Sequence, residues 1–122
     1  MSTALIVEDS LTEAEIFSSC LQQSGVQVLL VKSSEEALEK LDSFPSPDII
    51  ILDVVLPGKS GFELCRALKS ESKTRGIPVL MCSTKGSDMD KFWGMKQGAD
   101  AYLSKPIDQS EFIRTVQGLI GK

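Results

Sequence analysis

Five polar residues stand where short apolar runs of this sequence end. Glu8 and Asp9 follow the run 3–7, Asp53 follows 49–52, Ser83 follows 77–82, and Lys105 comes two residues after 101–103. If the runs are strands of one sheet, all five side chains collect along one edge of it, where open α/β sheets bind ligands. Strands lie about 4.8 Å apart, so with the first beside the third, Asp9 and Asp53 come close enough to share a cation. Mg²⁺ suits such a cluster, because it is a hard ion that takes oxygen ligands and bridges carboxylates to phosphates. The formal charges then close: Glu8, Asp9 and Asp53 give −3, Mg²⁺ adds +2 and Lys105 adds +1, which leaves zero.

A neutral site of this kind can admit a phosphoryl group. Phosphoryl transfer depends on positioned positive charge more than on a general base, and the metal, Lys105 and the Ser83 hydroxyl would supply the donors. Asp53 is then the expected nucleophile, forming an acyl phosphate.

The elements that must position these residues follow from periodicity. Ile49-Ile50-Ile51-Leu52 is apolar at every position, as a strand buried on both faces must be, and Pro57-Gly58 turns the chain outward after it. The runs 3–7, 26–31, 77–82 and 101–103 complete five strands, the alternating start of 26–31 placing it at an edge. Between them, helical stripes appear. Thr12-Glu13-Ala14-Glu15 matches a capping box ahead of Ala14, Phe17, Cys20 and Leu21, and Ser33-Ser34-Glu35-Glu36 opens a second helix that Phe44-Pro45-Ser46-Pro47 breaks. Ser60-Gly61-Phe62-Glu63 caps a third helix, with Leu64, Cys65 and Leu68 inward. Residues 87–97 form a fourth, weakened by Gly94 although Met89, Phe92 and Lys96 keep helical spacing. Asp108 caps the last helix, whose stripe is Phe112, Val116 and Leu119. Strand and helix alternate five times, which predicts a doubly wound α/β fold with a parallel sheet and right-handed crossovers, in one domain over 1–122 with no attached output module.

Composition narrows the function classes. The 122 residues carry a net charge of −4 without a cluster of Lys or Arg, which argues against direct binding to nucleic acid or an anionic membrane. No signal peptide or membrane-length apolar run is present, so a cytoplasmic location is expected. There is no His, which removes His-dependent triads and zinc sites, and the three Cys residues are too scattered to bind a metal.

Over essentially its whole length the sequence resembles the receiver domain of bacterial two-component response regulators. The motifs are Glu8-Asp9 after strand 1, Asp53 with Leu56-Pro57-Gly58 after strand 3, Ser83 after strand 4, and Lys105-Pro106 after strand 5. The resemblance implies a flavodoxin-like five-stranded sheet of order 2-1-3-4-5 with five helices, the order that flavodoxin shares with chemotaxis receivers. It implies Asp53 as phosphoacceptor and Lys105 and Ser83 as its catalytic companions. The Mg²⁺ ligands would be Glu8 through a water, Asp9, Asp53 and the Val55 backbone carbonyl. A cis peptide before Pro106 is also implied, as is a switch in which Ser83 moves toward the phosphoryl group while Tyr102 turns inward. A histidine kinase or phosphotransfer protein would be the donor. A downstream protein target would read the face formed by helix 4, strand 5 and helix 5, and the protein would be a signalling domain rather than an enzyme.

Some positions depart from the family pattern. Val55 offers a metal only its backbone, Thr84 is bulkier than the usual small residue, and Ala101 replaces an acid found in receivers that dimerise through the helix 4 face, so a monomer or weak dimer is expected. The run Trp93-Gly94-Met95-Lys96-Gln97-Gly98-Ala99 is similar to receivers of the twitching-motility and phototaxis kind, and Trp93 reads equally as a packing residue or as part of an output face. Val55 also stands where an aspartate-nucleophile phosphatase of the haloacid dehalogenase type needs a second Asp. A flavin module is disfavoured by the acidic first turn. A receiver-fold interaction module that is never phosphorylated is the remaining alternative.

Overall fold

The computed structural model describes residues 2–43 and 45–121. Five parallel strands, β1 (Thr3–Val7), β2 (Gln27–Val31), β3 (Ile49–Leu52), β4 (Val79–Ser83) and β5 (Ala101–Ser104), form one sheet of order β2-β1-β3-β4-β5. Helices α1 (Leu11–Gln23), α2 (Ser34–Ser43), α3 (Gly61–Ser70), α4 (Asp88–Lys96) and α5 (Gln109–Ile120) connect them. This is the flavodoxin-like fold expected from the sequence.

Alternate residues of each central strand feed opposite layers. Leu5, Val7, Ile50, Leu52, Val79 and Met81 pack with Ala37, Leu41, Leu64, Cys65 and Leu68 of α2 and α3. Ala4, Ile6, Ile49, Ile51, Leu80 and Cys82 pack with Phe17, Cys20 and Leu21 of α1 and with Phe112, Val116 and Leu119 of α5. The Phe17 and Phe112 rings stack with centroids 5.2 Å apart, joining α1 to α5. Each fully buried Leu, Ile or Phe here contributes about 1.5–3 kcal/mol of hydrophobic free energy, so the central strands are the anchor of the site above them. Lys69 staples the opposite end of the sheet, its ammonium donating to the carbonyls of Ile77 at 2.9 Å and Arg75 at 3.3 Å and to Asp100 at 3.0 Å.

Several local expectations are corrected. The cap of α1 is Ser10, whose hydroxyl accepts from the Glu13 N–H, and not Thr12, so Glu13 lies at the third helical position. The strand expected over 77–82 begins at Val79 and runs to Ser83, because Pro78 brings no N–H to the ladder. Of the Pro-rich breaker after α2, Phe44 lies outside the described residues.

Packing decides the orientation of α4, which its helical spacing left open. Its apolar residues face outward: Met89 is 72% exposed, Phe92 58%, Trp93 50% and Met95 48%, while Gly94 is the helix's buried residue. Gly94 is required by contact. A Cβ there would lie 2.8 Å from Tyr102 Cδ2 and 2.9 Å from Met81 Sδ. Helix propensity alone would favour Ala at this position by about 1 kcal/mol. We expect the opposite result for Gly94→Ala, a net loss of about 1.5 kcal/mol from overpacking, read as a lower urea midpoint at unchanged slope.

Candidate functional site

The strand register assembles the site. Val7 of β1 lies beside Leu52 of β3, which places Glu8 and Asp53 next to each other, and the Asp53 N–H donates to the Val7 carbonyl at 3.2 Å. Ser83 of β4 lies beside Ser104 of β5. The Lys105 N–H donates to the Ser83 carbonyl at 2.9 Å, which extends that ladder by one residue and turns the Lys105 side chain toward the acids. The Lys105–Pro106 peptide is cis.

At the centre of the site is the Lys105 ammonium. It lies 2.6 Å from Glu8 Oε1, 2.9 Å from Asp53 Oδ2 and 3.1 Å from Glu13 Oε2, with its side chain only 5% exposed. Its Nζ also stands 5.7 Å from the centroid of the Phe17 ring. The second oxygens of both strand-end acids are held too: Glu8 Oε2 accepts from the Ser10 N–H and Asp53 Oδ1 from the Val55 N–H, each at 3.2 Å. Both carboxylates are therefore fixed in orientation by backbone donors on the loops that follow their strands.

Charge is not balanced within this group. Glu8, Glu13 and Asp53 bring −3 and Lys105 brings +1, a formal −2 among side chains that are largely shielded from water. Burial pushes the Glu8 carboxyl above the ordinary carboxylate value, and its pairing with Lys105 offsets only part of that. Burial works to strip Lys105 of its proton, but hydrogen bonds to Glu8 and Asp53 outweigh it and hold its pKa above the usual lysine value. The folded state thus binds this proton more tightly than the unfolded chain does. Stability from Lys105 is fully present below the unfolded pKa, about 10.4, and is lost as pH rises through the higher folded value. The urea midpoint of the wild type minus that of Lys105→Met is expected to stay constant through neutral pH and to shrink in the alkaline range above about pH 10.4.

The sequence reading omitted Glu13 from the site and counted on Asp9. Among the described residues, Glu8, Glu13 and Asp53 form the group whose carboxylate oxygens lie within 4.8 Å of one another, whereas Asp9 is exposed and stands outside it. Side chains in a helix lean toward its N-terminus, so an acid in the first turn of α1 reaches back over the carboxyl end of β1. That lean, with Ser10 as the cap, is the signal that points to Glu13.

Ser83 is fully buried, and its Oγ accepts from the Lys85 N–H at 3.2 Å. The Tyr102 hydroxyl donates to the carbonyl of the same Lys85. Tyr102 is already inward, 9% exposed and packed against Gly94, so the two expected switch residues are tied together through one residue of the β4–α4 loop. On the other side, the loop after Asp53 is held by α2: the Ser34 hydroxyl donates to the Lys59 carbonyl at 2.8 Å, and Glu35 accepts from the Lys59 N–H at 3.4 Å.

The response regulator receiver domain family model matches residues 4–117. The chain belongs to this family. It is similar to protein PilH of Pseudomonas aeruginosa, with 36% identity over 120 residues that cover 98% of each chain. It is also 36% identical to the Escherichia coli phosphate regulon transcriptional regulatory protein PhoB, matching 95% of this chain but only 50% of that protein, so it spans half of that relative's length. Solved receiver structures agree. The signal receiver domain of a signal transduction histidine kinase from Syntrophus aciditrophicus has a TM-score of 0.92 at 34% identity, covering 99% of this chain and 91% of its own. The receiver domain of sensor histidine kinase PA1611 from Pseudomonas aeruginosa, whose active-site cleft coordinates a magnesium ion, has a TM-score of 0.90 at 25% identity, covering 99% and 98%. Receiver domains are signalling modules of two-component systems. Among the described residues no helix is long and apolar enough to cross a membrane.

Proposed function

We propose that this receiver accepts a phosphoryl group on Asp53 from a histidine kinase or phosphotransfer protein in a Mg²⁺-dependent reaction. The observation that carries the reading is the buried Lys105 ammonium held on Asp53 and Glu8 at 2.9 and 2.6 Å within a group of formal charge −2. A divalent cation would balance that charge, and the donors present are all hard oxygens, so the residues fit Mg²⁺. Glu8, Asp53 and the Val55 carbonyl are the residues we assign to it, and Asp9, exposed and outside the group of formal charge −2, would have to turn in to join them. When bound, the ion supplies positive charge to the oxygens of the incoming phosphoryl group.

The chain's own residues then do the following. An Asp53 carboxylate oxygen bonds to phosphorus while the donor's P–O or P–N bond breaks and the leaving group departs with that electron pair. Lys105 keeps its proton and donates to the phosphoryl oxygens, and Ser83 provides a hydroxyl from the end of β4. The Val55 N–H on Asp53 Oδ1 keeps the nucleophile in place.

Output follows from position. Asp53 is only 8% exposed, so a partner needs a surface elsewhere to read it. Met89, Phe92, Trp93 and Met95 give α4 an outward apolar face whose buried side rests on Tyr102, which supports a readout through α4, β5 and α5. We take 1–122 as one receiver domain, cytoplasmic, monomeric or weakly dimeric, with protein rather than nucleic-acid partners; the net charge of −4 supports that choice of partner.

The test is direct. Incubation with acetyl phosphate and Mg²⁺, followed by intact-mass measurement, is expected to show an adduct of about 80 mass units that is absent without the metal. If acetyl phosphate and a panel of phosphorylated kinases all leave the mass unchanged, the chain is the unphosphorylated interaction module instead.

A further inference from the structure

We propose that Glu13 is a positioning residue that restrains Lys105 in the unphosphorylated receiver and thereby slows loading of Asp53, an inference that rests on the acceptor reading above. A lysine ammonium has three N–H donors. Here two of them hydrogen-bond Glu8 at 2.6 Å and Asp53 at 2.9 Å, and Glu13 stands against the ammonium as an ion pair at 3.1 Å. During loading from acetyl phosphate, an Asp53 oxygen bonds to phosphorus, the P–O bond to acetate breaks, and acetate leaves with the electron pair. The carboxylate becomes a dianionic acyl phosphate, and one N–H of Lys105 must turn to its oxygens.

The N–H on Asp53 can pass to the phosphoryl oxygens of that residue, but the ammonium must shift to follow them, and its contacts with Glu8 and Glu13 resist the shift. The Glu8 side chain is 1% exposed, so unpairing it would strand a buried charge. The Glu13 side chain is 35% exposed and holds the longest of the three contacts. It lines an open cleft of about 260 Å³ with Ile16, Phe17, Pro106 and Ile107, so it regains water when it lets go. Its charge has a second effect in the same direction. A Glu13 carboxylate oxygen lies within 4.8 Å of one on Asp53, close enough to repel the arriving phosphoryl group. Lys105 keeps its place without Glu13, because Glu8 and Asp53 still hold it.

Initial rates of mass gain with acetyl phosphate, with Mg²⁺ raised until the rate stops changing, test this on the full chain. Glu13→Gln and Glu13→Ala are expected to load about tenfold faster than wild type, the size a partly exposed charge at this distance can supply. Glu13→Asp restores the charge and should bring the slow loading back. A structural role would instead lower the urea midpoint and leave the ranking of rates unrelated to charge. Equal or slower loading of Glu13→Gln overturns the inference, as does a Glu13→Asp rate matching that of Glu13→Gln. In both cases wild type still loads, so the acceptor reading survives. If neither wild type nor Glu13→Gln gains mass, the acceptor reading falls and takes the inference with it.

Discussion

Asp53→Asn is expected to take up no phosphoryl group, at least about a thousandfold below wild type in initial rate, because an amide offers no anionic oxygen to phosphorus. The fold should survive the change. Asn can still accept from the Val55 N–H, which now holds Asp53 Oδ1 at 3.2 Å, and the substitution removes one of three carboxylates from a group of formal charge −2. Its urea midpoint is therefore expected to equal or exceed that of wild type, which separates loss of the acceptor from loss of structure. An adduct on Asp53→Asn as abundant as on wild type would assign the phosphoryl group to another side chain.

The second large effect is expected at a residue with no side chain. A Cβ on Gly61 would lie 1.9 Å from the Asp53 carbonyl oxygen, 2.8 Å from its carbonyl carbon and 2.9 Å from Val54 Cα. All three neighbours are backbone, so nothing flexible can give way, and the Gly61 N–H additionally donates to the Val54 carbonyl at 2.9 Å. Gly61→Ala must either lift α3 from the sheet or displace the peptide that carries the acceptor. We expect a cost on the order of 3 kcal/mol, a large share of the stability of a domain this size, together with greatly slowed loading in the fraction that folds. A variant with wild-type urea midpoint and wild-type loading would mean that α3 does not press on Asp53 in solution.

The strands were legible because a parallel strand covered on both faces must be apolar throughout, so any acid at its end stands out, as Asp53 does after Ile49–Leu52. The placement of Glu13 was not, because it turned on a two-residue choice of helix cap. With Thr12 as cap the side chain would begin the helix, and with Ser10 it falls a turn's length back over β1 and reaches Lys105. Periodicity found the stripe of α4 but carries no sign. The spacing of Met89, Phe92 and Lys96 is the same whether that face meets the core or the solvent, and the deciding contact, Gly94 against Tyr102, belongs to tertiary packing. Gly61 was hidden for a related reason: a backbone-to-backbone approach leaves only a missing side chain as its trace.

The burial of all three cysteines equips the molecule with internal clocks. Cys20 sits in α1, Cys65 in α3 and Cys82 in β4, all free and buried, and burial pushes the Cys65 thiol up to about 11 and raises the other two as well. A reagent that consumes thiolates therefore meets almost none in the native protein, and each sulfur is alkylated only when its surroundings open. Cys82, fully buried in β4 between two neighbouring strands, times the opening of the sheet. Cys20, near the end of α1, times the release of that helix, so the two labelling rates read side by side give the order in which the architecture comes apart.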